Sequence, residues 1–251
     1  MKNLLIETKN VVKANQIIKE ICSRNGGDLV VFYGFTGTGK SQLALKNFPK
    51  NDWGYYRIET KESGRSFLRE IYRTLNFILT GNDIIPRGYS SEIAKECIRL
   101  FEEISLRRSA SGMPPFVFFI DEVNVAFKFR KWDIVELLRD FRDKAGAKIV
   151  MIGEEDTKKK IESYDSHFSG RITNYCPFDI LTREDIISII GKTMEVEADP
   201  EVYRRMIEEM RGNLHNLESY IKKFEILAKS ENLGRITKED IKKYNFKFNR
   251  G

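Results

Sequence analysis

Leu29-Val30-Val31-Phe32-Tyr33-Gly34-Phe35-Thr36-Gly37-Thr38-Gly39-Lys40-Ser41-Gln42 is the stretch on which the fold turns. A short apolar, β-branched run reads as a buried strand, and the glycine-rich turn behind it opens into a helix. Gly34 to Ser41 satisfies Gly-x-x-x-x-Gly-Lys-Ser/Thr at every position, in the strand–turn–helix setting where that pattern cradles phosphate. Small residues let consecutive backbone N–H groups face inward, and the helix that follows presents its positive end to an anion. The candidate nucleotide-binding residues are therefore Gly34, Thr36, Gly37, Thr38, Gly39, Lys40, Ser41 and Gln42. Lys40 can reach the β- and γ-phosphates, and the Ser41 hydroxyl can ligate Mg2+.

A second element completes the pattern. Phe116-Val117-Phe118-Phe119-Ile120 is the most hydrophobic run in the chain and ends in Asp121-Glu122. A strand ending in two acids downstream of a phosphate loop places Asp121 near a Mg2+ shell. It also places Glu122 to polarise a water for in-line attack on the γ-phosphate. The pair points to hydrolysis as well as binding, with Lys40 and Glu122 as catalytic candidates.

Around these landmarks strands alternate with helices as far as about residue 178. An amphipathic helix over 9–22 leads the chain. Strands are expected at 29–33, 54–59, 116–120 and 148–153. Helices are expected at 41–47, at 66–79, from the opening Tyr89-Ser90-Ser91-Glu92 to about Arg108 with Ser90 or Ser91 as the cap, and at 132–145. From Thr182 onward only helices are legible, with caps at Thr182 with Asp185, at Asp199-Pro200 and at Thr237 with Asp240. This order predicts an α/β fold, a P-loop parallel sheet sandwiched by helices over 1–178, followed by a small all-helical lid over 179–251.

Bulk properties set the limits. In 251 residues there are 43 basic and 37 acidic side chains, a net charge of +6, compatible with a polyanionic partner without requiring one. No apolar run approaches the roughly 20 residues of a membrane helix, so no membrane association is expected. Three dispersed cysteines without metal-ligand spacing read as incidental thiols of a reducing, cytoplasmic compartment.

The residues also carry a resemblance. Val31 to Leu45, the Glu59-Thr60 strand end and Gly64-Arg65-Ser66-Phe67-Leu68-Arg69-Glu70-Ile71 resemble AAA+ ATPases of the transposition-regulator group, which includes the phage Mu B, TnsC and TniB proteins. So do Ile120 to Asn124, Leu137 to Asp143 and Ile149 to Glu155. The resemblance runs from about residue 10 to 225. It departs from the Mu B protein at the N-terminus, where the residues before the first strand leave no room for a separate DNA-binding domain.

The resemblance implies ATP and Mg2+ as cofactors, and assembly on double-stranded DNA as a homo-oligomeric ring, spiral or filament. It implies a transposase as partner and a bacterial, phage or mobile-element origin, with the protein associated with the nucleoid. It makes Arg171, in Phe168-Ser169-Gly170-Arg171-Ile172, the candidate finger that enters a neighbour's nucleotide site. At the lid's sensor position it finds His215 where relatives carry arginine, leaving His215 or Arg211 to meet nucleotide, or a lid that senses nucleotide weakly. The polar sensor at the end of the fourth strand is replaced by the acidic Glu154. For the DNA backbone the candidates are Lys61, Arg65, Arg130 and Lys131, since phosphate contacts need only fixed positive charge. Two other readings fit the same core: a helicase loader or replication-initiation ATPase, and a protein-directed ATPase that does not bind DNA.

Overall fold

The structure, a computed structural model, describes residues 7–129, 131–210 and 212–243. Five parallel strands form the main sheet: β1 (Asp28–Gly34), β2 (Gly54–Arg57), β3 (Val117–Asp121), β4 (Lys148–Gly153) and β5 (Ile172–Phe178). Their order is β2-β3-β4-β1-β5. The three central strands are buried almost throughout, as the continuous apolar runs require when helices cover both faces. The order puts β4 between β1 and β3, so the phosphate loop and the acidic pair leave the C-terminal edge of the sheet two strands apart. Ligands of parallel sheets bind along that edge.

The helices of this layer are α1 (Lys9–Ser23), α2 (Lys40–Asn51), α3 (Gly64–Thr80), α4 (Ser90–Ala110), the short α5 (Asn124–Lys128), α6 (Trp132–Ala145), α7 (Thr157–Tyr164) and α8 (Ser166–Ser169). Phe101 of α4 lies in a cluster with Phe116, Phe118 and Phe141, joining two helices to β3. Then follow α9 (Arg183–Thr193), β6 (Glu197–Ala198), α10 (Pro200–Met210), α11 (Leu214–Ser230), β7 (Arg235–Ile236) and α12 (Lys238–Lys243). Val202, Met206, Leu217, Ile221, Phe224 and Ile236 form their common core. Among the described residues no helix is long and apolar enough to cross a membrane.

The chain divides into two compact units. One consists of residues 13–34 and 40–178 and holds the five-stranded sheet. The other joins the segment through Val12 and the loop Phe35–Gly39 to everything from Asp179 onward. Within this second unit the Asn10 side-chain amide donates to the Asp179 carbonyl at 2.8 Å and accepts the Asp179 N–H at 3.1 Å.

Several details differ from the sequence reading. Periodicity ends α2 at Asn47, but the backbone stays helical to Asn51. The cap of α4 is Tyr89, whose N–H is taken by Glu92 at 2.9 Å, and not Ser90 or Ser91, which lie in the first turn. The tail is not purely helical: β6 and β7 pair in parallel, too short at two residues each to show alternation. β5 escapes a strand reading because Asn174 and Pro177 interrupt its apolar run; as an edge strand it tolerates the missing N–H. The caps at Thr182 and Thr237 are as expected, with reciprocal bonds to Asp185 and Asp240.

Candidate nucleotide site

In the sheet-bearing unit the site begins at Gly34. Its φ is +151°, and a Cβ there would stand 2.2 Å from the Phe178 carbonyl oxygen, so only glycine allows β1 to turn out beside β5. Lys40 opens α2, and its Nζ donates back to the Gly34 carbonyl at 2.7 Å. Burial lowers the Lys40 pKa, while the carboxylates of Asp121, Glu122 and Glu154 pull the other way. The ammonium is thus only partly solvated and faces acids, a state that phosphate oxygens improve. Ser41 and Gln42 follow, both half-buried in the first turn of α2.

Asp121 ends β3 and is 2% exposed. Its Oδ1 accepts the Glu122 N–H at 2.9 Å, and its Oδ2 accepts the Tyr55 hydroxyl at 2.8 Å. Glu122 has φ +58°, in the left-handed region that a residue with a side chain enters only at a cost. Its Oε1 accepts from Arg57 Nη2 at 2.8 Å. Arg57 and Glu122 are 63% and 31% exposed in their side chains, so the pair contributes at most about 1 kcal/mol and opens readily. Tyr55 and Arg57 lie two apart on β2 and so share a face, and β2 pairs directly with β3. One edge strand therefore holds both acids.

In the other unit, Phe35–Gly39 packs on the start of α11. The Thr38 hydroxyl braces the loop by donating to the Phe35 carbonyl at 2.8 Å. The Leu214 N–H donates to the Gly37 carbonyl at 2.7 Å. Gly37 has φ +80°, and a Cβ there would lie 2.2 Å from Asn213 Oδ1. Asn213 caps α11 by accepting from His215 N–H at 2.9 Å. Asn213 and Leu214 are thus the residues that meet the loop, while the His215 side chain is exposed. Arg211 lies outside the described residues. Thr36 is exposed on the loop, and the Glu154 carboxylate is also exposed, its nearest cation being Lys160 at 4.0 Å.

The basic candidates separate. Lys131 Nζ donates to the carbonyls of Glu59, Thr60 and Glu62 at 3.2, 3.0 and 2.6 Å. These bonds tie the loop after β2 to the start of α6. Lys61 is exposed on that loop. Arg65 is exposed with one contact, to the Gly88 carbonyl at 3.2 Å. Arg130 lies outside the described residues. Arg171 is held within its own chain, on Asp143 Oδ2 at 2.7 Å and the His167 carbonyl at 2.6 Å. Tyr55, Arg57 and Asn213 carry no motif signal; alternation along β2 pairs Tyr55 with Arg57 but does not say which strand they face.

The profile of one domain family, the AAA domain, matches residues 23–161, more than half of the chain. The chain belongs to the AAA domain family. Among curated protein sequences none matches it. Solved structures similar to this AAA domain protein include the Aeropyrum pernix ORC1 protein in complex with DNA, at 12% identity and a TM-score of 0.63. That match covers 97% of this chain and 66% of the other. The Pyrobaculum aerophilum Cdc6p structure aligns at 15% identity and a TM-score of 0.64, over 94% and 65% of the two chains. The Drosophila ORC structure bound to DNA aligns at 16% identity and a TM-score of 0.59, over 94% and 59%. At these identities the likeness is one of fold, and the AAA domain protein spans about two-thirds of the archaeal chains and less of the Drosophila one.

Proposed function

We propose that this AAA domain protein is a Mg2+-dependent ATPase that assembles on double-stranded DNA and regulates or recruits a transposase during target selection. The observation that carries the reading is the position of β2. The strand grips both acids of the hydrolytic site through Tyr55 and Arg57, and it runs directly into the loop that presents Lys61. Charge captured at Lys61 therefore acts four residues along the chain from Arg57, the partner of Glu122. Lys131 stiffens the connection by holding three of the loop's carbonyls.

The donor set fits Mg2+, an ion that takes one or two carboxylates and completes its shell with water and phosphate oxygens. Asp121, buried and hydrogen-bonded, and the Ser41 hydroxyl would hold it; when bound it spreads the negative charge of the phosphates. The inward N–H groups of the loop orient the triphosphate, and Lys40 exchanges the Gly34 carbonyl for phosphate oxygens. Glu122, released from Arg57, accepts a proton from the water that attacks the γ-phosphorus. The new P–O bond forms as the bond to the bridging oxygen breaks, leaving ADP and phosphate. Arg171 reaches a neighbouring copy's site only by giving up Asp143, which makes full activity a property of the assembly. His215 is kept as a nucleotide-facing residue of the lid, together with Asn213. Residues 1–178 serve as the ATPase core and 179–251 as the lid, and the protein works in the cytoplasm.

The transposase assignment rests on the resemblance of Leu137 to Glu155 to transposition regulators. Fold similarity to ORC and Cdc6 structures, two of them with DNA, favours a second reading as a replication-initiation ATPase. Co-purification with a transposase or with a helicase separates the two. The first test is binding to a random-sequence duplex with an ATP analogue, with ADP and without nucleotide, over a salt series. Salt-sensitive binding confined to the ATP analogue supports the proposal, with the slope counting phosphates engaged. Absence of binding in every state at low salt leaves a protein-directed ATPase.

A further inference from the structure

We infer that Tyr55 is a positioning residue for the metal-holding carboxylate, acting through a neutral hydrogen bond to Asp121; the inference rests on the Mg2+–nucleotide reading above. Asp121 is buried, and each of its oxygens has one donor from a different direction. The Glu122 N–H holds Oδ1 at 2.9 Å, and the Tyr55 hydroxyl holds Oδ2 at 2.8 Å. Two donors on two oxygens fix the rotation of the carboxylate, while each oxygen keeps a second lone pair for an ion or its water. The backbone donor comes with the chain, whereas the hydroxyl has to be supplied by a neighbouring side chain. β2 supplies it because Tyr55 is paired with Phe119, two residues before Asp121.

The chemistry of the donor matters. A lysine or arginine in this place would cancel the charge that attracts the cation, whereas a phenol orients the carboxylate and leaves its charge intact. Arg57, the cation on the same strand face, is spent on Glu122 instead, so the strand gives each acid a different kind of partner. Tyr55 also lines a groove of about 470 Å³ with Trp53, Phe77, Ile104 and Met113, so its ring already has a packing role that phenylalanine would fill equally well. The hydroxyl is what phenylalanine removes.

The test is Tyr55→Phe in the full chain, with affinity for a fluorescent ATP analogue measured in EDTA and across a Mg2+ series. Partners that orient metal ligands typically contribute 10–100-fold to metal affinity, so the Mg2+ midpoint should rise at least about ten-fold. Affinity in EDTA and the melting temperature should stay at wild-type values. Asp121→Asn should raise the midpoint too, and adding Tyr55→Phe to it should bring no further change, since the two groups act as one. A Tyr55→Phe midpoint equal to wild type overturns the inference. So does a parallel loss of EDTA affinity and melting temperature, which would make the hydroxyl structural. If wild-type affinity is the same in EDTA and in Mg2+, the metal reading itself fails and this inference falls with it.

Discussion

Single side chains decide what the site can do. Lys40 makes charge-assisted bonds that no other residue of the loop can replace, so Lys40→Ala should weaken ATP binding about 100-fold in a direct titration. Glu122→Gln should leave binding intact and slow turnover at least about 100-fold, which single-turnover phosphate release reads directly. Arg57→Ala removes a restraint worth at most about 1 kcal/mol, so basal hydrolysis should rise up to about five-fold and DNA stimulation shrink by the same factor. Unchanged basal turnover with full stimulation would show that Arg57 does not govern Glu122. Lys40, Ser41, Asp121 and Glu122 can be picked out of the chain as candidates because the motifs that name them sit at fixed spacing after apolar strands. Arg57 and Tyr55 cannot, since their partners lie 65 and 66 residues away and become neighbours only once β2 pairs with β3. The three carbonyls that Lys131 holds, on Glu59, Thr60 and Glu62, are likewise invisible in the chain, since they lie about 70 residues away.

At the scale of elements, the start of α11 and the loop Phe35–Gly39 are built for each other. Gly37→Ala combines a left-handed φ, costing about 1–2 kcal/mol, with a collision against Asn213. Thermal melting should therefore shift downward, and adding Asn213→Gly should recover only the collision part of the loss. Full recovery would mean the backbone strain is negligible. Four of the five main-sheet strands and the long helices could be read from apolar runs and periodicity; β5, broken up by Asn174 and Pro177, could not. The mini-sheet of β6 and β7 joins residues 38 apart with two pairs, a contact that no local pattern encodes. Asn213, too, looks like an ordinary helix cap until its neighbour Leu214 is seen to donate to Gly37.

For the whole molecule, activity is expected to depend on assembly. Arg171→Ala should keep ATP binding yet lose DNA-dependent turnover by about 1000-fold or more, the usual contribution of an arginine supplied in trans. Normal DNA-dependent turnover in that variant would assign Arg171 to its pair with Asp143 alone. The left-handed backbone at Glu122 has a consequence of another kind. A residue that is costly to fold and, on the proposed mechanism, needed for hydrolysis sets conformational stability against fitness. Glycine there relieves about 1–2 kcal/mol of strain and returns about half of it as unfolded-chain entropy. Glu122→Gly should therefore melt no lower than the wild type while being inactive, and a selection for thermal robustness alone would discard the side chain that hydrolysis requires.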